Sequence, residues 1–372
     1  MPKGRIVAAM SGGVDSTVAA ALLLEQDFEV IGVTLQLQSC SETPLESSCC
    51  GDDAISQAKS AAAHLGIPHY VLDCREGFES KVLLPSWHEY RQGRTPNPCI
   101  LCNEQIKFGA LFEYAKTLGA EKIATGHYVR AGARKDGRVF LLRGEDPRKD
   151  QSYFLFALSP ERLSKAMFPL GALSKQTVRD MARRIGLKNA DRTESQDACF
   201  SLKETTFAEA LRQRFKGPAA PGPIIDETGR LLGRHDGIHR FTIGQRRGIG
   251  VALGAAAWVK SIDPERGAVI LTGSKESLAA RGLIATAVRW HALSPKFRRL
   301  RCSVQVRYNQ APVPAIVYPE SPQVVRVRFE RPVTAVCPGQ AAVFYAGKRL
   351  LGGGWIDRPL GDPLAVTGPN DV

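Results

Sequence analysis

The string Ser11-Gly12-Gly13-Val14-Asp15-Ser16-Thr17 constrains this chain more than any other. It follows a short apolar run over residues 5–10 and opens a stretch, residues 17–26, that is apolar on most of its turns. The run reads as a buried strand and the stretch as a helix, so the two glycines fall at a strand-to-helix turn. Paired glycines let the backbone turn tightly and come close to a ligand. The N–H groups of such a turn, with the helix N-terminus, form a pocket for anionic oxygens, and Ser11, Ser16 and Thr17 add hydroxyls. The Gly-Lys-Ser/Thr ending of a Walker A loop is missing, which makes this a phosphate loop of another kind. Asp15 either helps position Mg²⁺ or caps the helix, and the sequence leaves both open.

Strand and helix patterns alternate after the loop. Residues 30–37, His69–Asp73 and 122–125 read as strands; Asp52–Leu65, 106–118 and 174–185 read as helices. This alternation predicts an α/β fold with a mostly parallel sheet and ligands at the carboxyl ends of its strands. The texture changes near Lys216, where Gly217-Pro218-Ala219-Ala220-Pro221-Gly222-Pro223 reads as a linker. Short β-rich runs follow at 237–243, 257–262 and Ala268–Thr272, and longer alternating ones at 302–308, 313–318, 324–329 and 341–345. The expected organisation is an α/β nucleotide domain over 1–215, a small central β domain over 216–275 and a C-terminal β-barrel over 276–372.

Charge narrows the partners. Fifty Lys and Arg against 37 Asp and Glu give +13, a surplus that favours polyanions through counterion release. Residues 281–310 carry Arg281, Arg289, Lys296, Arg298, Arg299, Arg301 and Arg307 and no acidic residue. No apolar run approaches the roughly 18 residues of a membrane helix, and the one at 6–10 ends at Ser11, too short for an export signal. A cytoplasmic protein without a membrane partner is expected. Nine cysteines in that reducing setting point to metal binding or catalysis before structural disulfides.

The cysteines are not spread evenly. In Thr95-Pro96-Asn97-Pro98-Cys99-Ile100-Leu101-Cys102 two prolines force an extended entry and present two thiols just before the helix at Ile106. A thiol near a helix N-terminus gains thiolate character, and Lys107 is close in sequence. A third thiol is Cys199 in Ser195-Gln196-Asp197-Ala198-Cys199-Phe200. Half a zinc site, a redox pair and sulfur handling are all open readings. Cys40, Cys49 and Cys50 fall in or beside a serine-rich insertion, and Cys74, Cys302 and Cys337 read as small core hydrophobes. His127 reads as an ATP contact or as an ordinary hydrogen-bonded histidine.

Ser-Gly-Gly-Val-Asp-Ser resembles the pyrophosphatase (PP) loop of enzymes that cleave ATP to AMP and pyrophosphate to adenylate a carbonyl or acyl oxygen. Further blocks make the resemblance specific: residues 95–108, Ala124-Thr125-Gly126-His127-Tyr128, Lys149-Asp150-Gln151-Ser152-Tyr153, Asp197-Ala198-Cys199-Phe200, residues 241–248 and residues 338–345. Together, in order from Ala9 to Ile356, they resemble the tRNA-specific 2-thiouridylase family.

The resemblance implies a PP-loop domain followed by a small β domain and a β-barrel. It implies ATP held by Ala9, Met10, Ser11, Gly12, Gly13, Val14, Asp15, Ser16, Leu35 and Gly126, with Mg²⁺. It implies a wobble uridine flipped out beside Asn97, Pro98 and Cys99 and adenylated at O2. Cys199 would carry a persulfide from a sulfur-relay donor protein or cysteine desulfurase. Cys102 would be the nucleophile that helps release that sulfur, leaving a Cys102–Cys199 disulfide. Lys149, Asp150, Gln151, Arg307 and Tyr308 would touch the tRNA. One position departs from the family's best-described form, which has an Asp, thought to be a general base, where this chain has Cys99. Cys99, Cys102 and Cys199 together match the ligand type of an iron–sulfur cluster with one open iron, so persulfide and cluster routes both stand. Two rivals remain: an amidating synthetase with the same loop, and an RNA-binding protein on a vestigial nucleotide fold.

Overall fold

The computed structural model describes residues 2–38, 52–187, 190, 205–218, 220–251, 254–291 and 297–361. They fall into two compact units, one of residues 1–83, 98–207 and 348–351, the other of 84–97, 208–347 and 352–372.

In the first unit the chain runs β1 (Arg5–Ala9), α1 (Val14–Glu25), β2 (Glu29–Gln36), α2 (Asp52–Leu65), β3 (His69–Asp73) and α3 (Arg75–Phe78). A π-helical turn over Glu79–Leu83 leads to α4 (Leu84–Arg91), which belongs to the second unit. The first unit resumes with α5 (Pro98–Cys102), a π segment Asn103–Ala110, α6 (Leu111–Thr117) and β4 (Lys122–Ala124). The hairpin β5 (Val129–Ala133) and β6 (Val139–Arg143) follows, then α7 (Pro160–Ser164), β7 (Ala166–Met167) and α8 (Lys175–Arg184). The sheet order is β3-β2-β1-β4-β7, and every neighbouring pair is parallel. The chain therefore winds outward in one direction through β1, β2 and β3 and in the other through β4 and β7. The reversal lies between β1 and β4, and such a switch point opens a crevice at the strands' carboxyl ends.

α1 is buried on most sides, which explains its nearly continuous apolar sequence. Ala20 and Leu23 pack with Ile6, Ala8, Val30 and the α2 alanines Ala58 and Ala62. Val18 and Ala19 pack with Tyr128, Leu170 and the α8 residues Val178 and Ala182. The helix is thus held from two sides.

In the second unit α9 (Phe207–Arg214) leads to β8 (Gly222–Asp226), β9 (Leu231–His235), β10 (Trp258–Asp263) and β11 (Ala268–Thr272), a small sheet of order β10-β11-β8-β9. Its core is Ile224, Phe241, Ile249, Val259, Val269 and Leu271. Next come β12 (Ala279–Trp290), β13 (Leu300–Gln305), β14 (Val313–Ser321), β15 (Val324–Thr334), β16 (Ala341–Ala346) and β17 (Arg349–Leu360). They pair in the order β12-β15-β14-β13-β16-β17, and a β12–β17 ladder closes the antiparallel barrel. The α/β class, the small β sheet and the barrel all follow the expectation. The run at 237–243 differs: a 3₁₀ turn occupies Ile238–Arg240. His235 Nδ1 accepts from Gly237 N at 3.0 Å, and His239 within the turn is buried, so local hydrogen bonding displaces a strand there. Among the described residues no helix is long and apolar enough to cross a membrane.

Candidate active site

The glycine loop sits at the switch point. Met10 N donates to Val33 O at 2.8 Å, and the Thr34 hydroxyl donates to Met10 O at 2.8 Å, so β2 fixes the end of β1. The loop then closes on itself. Ser11 N donates to Ser16 Oγ at 3.1 Å, and the Ser16 and Thr17 hydroxyls each donate to Gly13 O at 3.0 Å. Gly12 has φ +74°, and a Cβ there would lie 2.6 Å from Ala54 O, so both conformation and space demand glycine. Gly126, just after β4, is the second demand. A Cβ on it would stand 3.0 Å from Asp15 C and Ser16 N, so its bare Cα lines the cradle at the start of α1. Leu35 lies half-exposed near the carboxyl end of β2. The ATP-binding residues expected from sequence therefore gather at the carboxyl end of one sheet.

Asp15 does not cap its helix: the cap position is Gly13, with no side-chain cap. Its Oδ1 accepts from the Lys175 ammonium at 2.7 Å and from the Tyr128 hydroxyl at 2.8 Å. Sequence reasoning missed both partners. Lys175 is the first residue of α8, placed by the Ser174 cap, whose hydroxyl accepts from Thr177 N at 3.1 Å. A serine before an amphipathic stretch marked the helix start, but nothing local marked Lys175 as facing the loop. His127, between Gly126 and Tyr128, shares a 2.7 Å hydrogen bond with Thr125 Oγ1 and packs against Phe108 and Phe168. Burial, with the charge of Lys107 as a smaller cause, holds its pKa well below the usual value, so the ring is neutral.

Cys99 and Cys102 are the second and last residues of α5, not ahead of a helix at Ile106; Pro98 starts that helix, where its missing N–H costs nothing. Neither is in a disulfide; Cys99 is half-buried and Cys102 buried. Three residues apart on a helix, they share one face. A π segment follows at once, with Asn103 Nδ2 donating to Phe154 O and Arg162 Nη1 to Glu104 O. Cys199, Cys40, Cys49, Cys50 and Lys296 lie outside the described residues. The described cysteines Cys74, Cys99, Cys102, Cys302 and Cys337 are all unbridged. Among the described residues no cluster of three His, Cys, Asp or Glu is placed to hold a metal.

Of the expected tRNA contacts in the first unit, Asp150 is turned inward. It accepts from Gly144 N at 3.0 Å, Ser152 N at 3.1 Å and Ser152 Oγ at 3.0 Å, and pairs with Arg143 at 3.4 Å. Gln151 is locked to Tyr128 by two backbone-directed hydrogen bonds of 3.0 Å. Lys149 stands between this buried carboxylate and the Asp146 turn.

In the second unit Asn97 is buried, and the strip before it is clamped. Gln340 Nε2 donates to Thr95 O and Pro96 O at 3.0 Å, Thr95 N donates to Pro338 O at 2.8 Å, and Arg94 reaches Glu89 and Ile356 O. Arg307 Nη2 donates to Ile243 O at 3.0 Å and lies 2.6 Å from Cys337 Sγ, while Gln305 Nε2 donates to Tyr308 O at 2.8 Å. Cys337 is therefore more than core filler: burial pushes its thiol up, and Arg307 offsets part of the rise. Cys74 and Cys302 fit the core reading, with burial raising them to about 11 and about 12. Arg281, Arg289, Arg298, Arg299 and Arg301 are exposed on or beside β12 and β13.

A parallel sheet whose switch-point crevice is lined by a non-Walker glycine loop defines an ATP-using enzyme of the PP-loop class. The chain matches the tRNA methyl transferase HUP domain over residues 4–203, the tRNA methyl transferase PRC-barrel domain over 211–272 and the aminomethyltransferase beta-barrel domain over 280–356. It is 45% identical over 361 residues to the tRNA-specific 2-thiouridylase MnmA of Geobacter metallireducens, covering 96% of this chain and 97% of that protein. To the protein of the same name from Carboxydothermus hydrogenoformans it is 43% identical over 360 residues, covering 96% and 98%. The chain belongs to the tRNA-specific 2-thiouridylase family. Among solved structures it is similar to the U34-tRNA thiolase NcsA from Methanococcus maripaludis with its [4Fe-4S] cluster, at TM-score 0.34 and 17% identity over 58% of this chain and 66% of that one.

Proposed function

We propose that this chain is a cytoplasmic enzyme that uses ATP and Mg²⁺ to replace the C2 oxygen of the tRNA wobble uridine with sulfur. The observation that carries the reading is the glycine loop at the switch point, where Gly12 and Gly126 have no space for a side chain and so let the backbone of the loop and of the β4 end pack tightly against α2 and the start of α1. Ala9 to Ser16, with Leu35 and Gly126, hold the nucleotide. The uridine O2 attacks the α-phosphorus, pyrophosphate leaves, and C2 becomes electrophilic. Asn97, Pro98 and Cys99 receive the flipped base. A sulfur-relay donor or cysteine desulfurase loads Cys199 with a persulfide. Its terminal sulfur adds to C2 and AMP departs with the O2 oxygen; the Cys102 thiolate then attacks Cys199 Sγ, the bond between Cys199 Sγ and the transferred sulfur breaks, and that sulfur stays on C2. The resulting Cys102–Cys199 disulfide then needs an external thiol reductant.

Lys149 is the half-buried neighbour of Asp150 and Gln151, which stiffen its loop from within, and it meets the tRNA backbone. Arg307 and Tyr308 do the same from the barrel. The division at 215/216 and 275/276 assigns catalysis and the Lys149 contact to the first domain and the rest of the RNA grip to the other two.

The donor chemistry also fits an iron–sulfur cluster. Cys99 and Cys102 share one turn of α5, Cys102 is buried, and Cys199 supplies a third thiolate. When bound, such a cluster supplies an open iron able to carry sulfide. Cys99 in place of a carboxylate favours that second route. Anaerobically purified protein is expected to bear iron and acid-labile sulfide if it operates; full activity without either excludes it. The function itself is tested by incubating enzyme, ATP, Mg²⁺, a sulfur source and unmodified tRNA and weighing the digested nucleosides. ATP-dependent 2-thiouridine supports the reading. Tight tRNA binding with no thiolated base overturns it.

A further inference from the structure

Two separate chains of hydrogen bonds join the loop that carries Lys149, Asp150 and Gln151 to the carboxylate of Asp15. The first runs through Tyr128. Tyr128 N donates to Gln151 Oε1 at 3.0 Å, Gln151 N donates to Tyr128 O at 3.0 Å, and the Tyr128 hydroxyl donates to Asp15 Oδ1 at 2.8 Å. The second runs through Lys175. Asp146 sits in the turn before Lys149 and accepts from Lys175 N at 3.1 Å, and the Lys175 ammonium reaches the same Asp15 Oδ1 at 2.7 Å.

Both chains are stiff. Tyr128 is 3% exposed, Asp146 6% and Lys175 9%. Gly144 lies against Tyr128 so closely that a Cβ would fall 2.6 Å from its carbonyl oxygen, and Gly171 would meet Val129 O at 2.0 Å. Lys149 N donates to Asp146 O at 3.1 Å and Glu145 N to Gly171 O at 2.9 Å, so the loop moves as one body with residues 128–129. A shift at Lys149 therefore reaches Asp15 by two routes that end on one oxygen atom. A buried polar network of this kind, satisfied at each step, transmits displacement because its side chains have few alternative arrangements.

We infer that Tyr128 and Lys175 are positioning residues that couple RNA engagement at Lys149–Gln151 to the ATP site at Asp15. The inference rests on the reading that this loop meets tRNA and that Asp15 belongs to the nucleotide cradle. RNA seated on the loop shifts the two chains together, and they carry Asp15 to the position that suits ATP. Without RNA the chains hold Asp15 short of that position, which discourages cleavage of ATP with no uridine present. Coupling of this kind is reciprocal, so ATP tightens RNA binding by the same factor.

The test is a binding cycle on the full chain. The dissociation constant for a non-hydrolysable ATP analogue is measured with and without tRNA, and that for tRNA with and without the analogue. The two ratios are expected to agree at about tenfold. Tyr128→Phe removes only the hydroxyl, and it is expected to cut the ratio several-fold while affinity without RNA stays close to wild type. Lys175→Met is expected to lower the ratio too, Lys175→Arg to restore most of it, and the Tyr128→Phe/Lys175→Met double variant to bring it near one. Thermal unfolding of each variant separates coupling from collapse; if the double variant unfolds, Tyr128→Phe alone decides. A wild-type ratio of one, or a wild-type ratio in folded Tyr128→Phe and Lys175→Met, overturns the inference. Thiolation by the wild type alongside such a result leaves the proposed function standing; absence of both thiolation and tRNA binding overturns the two together.

Discussion

The nucleotide loop and the strip that leads to Asn97 are held in opposite ways. In the loop, Ser11, Gly13, Ser16 and Thr17 bond to one another across no more than five residues. In the strip, the carbonyls of Thr95 and Pro96 are held by Gln340, some 245 residues away in sequence, and Arg94 bonds Ile356 O across 262. A ligand site made of local bonds survives as a motif. One made of distant bonds exists only once the barrel has formed. The difference predicts separable faults: damage to the loop falls on ATP, damage to the clamp on folding and on the RNA.

The largest effect is expected where chemistry, not positioning, is removed. Cys102→Ser and Cys199→Ser should each lower thiolation by at least about 1,000-fold, with ATP and tRNA binding retained. Measured dissociation constants for both ligands check that the loop and the clamp are intact. Next comes Gly12→Ala. Strain at φ +74° and the contact with Ala54 O should displace the loop and reduce kcat/KM for ATP by about 100-fold, with tRNA affinity in the absence of ATP little changed. A matching loss of tRNA affinity in that variant would break the comparison.

Gln340→Leu probes the other region. It strips the Thr95 and Pro96 carbonyls of a donor and should cost about 1–3 kcal/mol of stability, with KM for ATP unchanged. Denaturant unfolding with steady-state kinetics reads both. A smaller, pH-dependent effect lies near α9. Hydrogen bonds from Arg212 and then His239 hold Glu209 at about 2, below its usual 4.5. A depressed carboxylate contributes stability that is present above its unfolded value and lost as pH falls through its folded one. Wild type should therefore lose stability between pH 4.5 and about 2, and Glu209→Gln should lose less across that window while being less stable at pH 7. The smallest expected effect is none: neutral, buried His127 should leave no inflection in the thiolation rate between pH 6 and 8.

The same contrast separates what is legible in the sequence from what only the fold brings together. The glycine loop, the helix Asp52–Leu65 and the strand His69–Asp73 were legible because their signals are local: turn glycines, an alanine-rich period and a short Tyr-Val-Leu run after the Gly66-Ile67-Pro68 break. The role of Asp15 was not, because its two partners come from β4's end and from α8, 113 and 160 residues on. Tyr128 and Gln340 each lay within blocks that carry the family resemblance, yet the resemblance says nothing of what they hold. Residues 84–97 read as a continuation of the first domain, but Arg94 and Thr95 bond to the barrel and place them in the second unit. Cys337 looked like core, and only the fold brings Arg307 to its sulfur.

The most direct test of the account follows one oxygen atom. A tRNA bearing oxygen-18 at C2 of the wobble uridine is incubated with enzyme, ATP, Mg²⁺ and a sulfur source, and the AMP is weighed. If the loop directs ATP to that oxygen and the thiols displace it, one labelled oxygen appears in AMP for each 2-thiouridine formed. Unlabelled AMP, or label found in pyrophosphate or water, contradicts it.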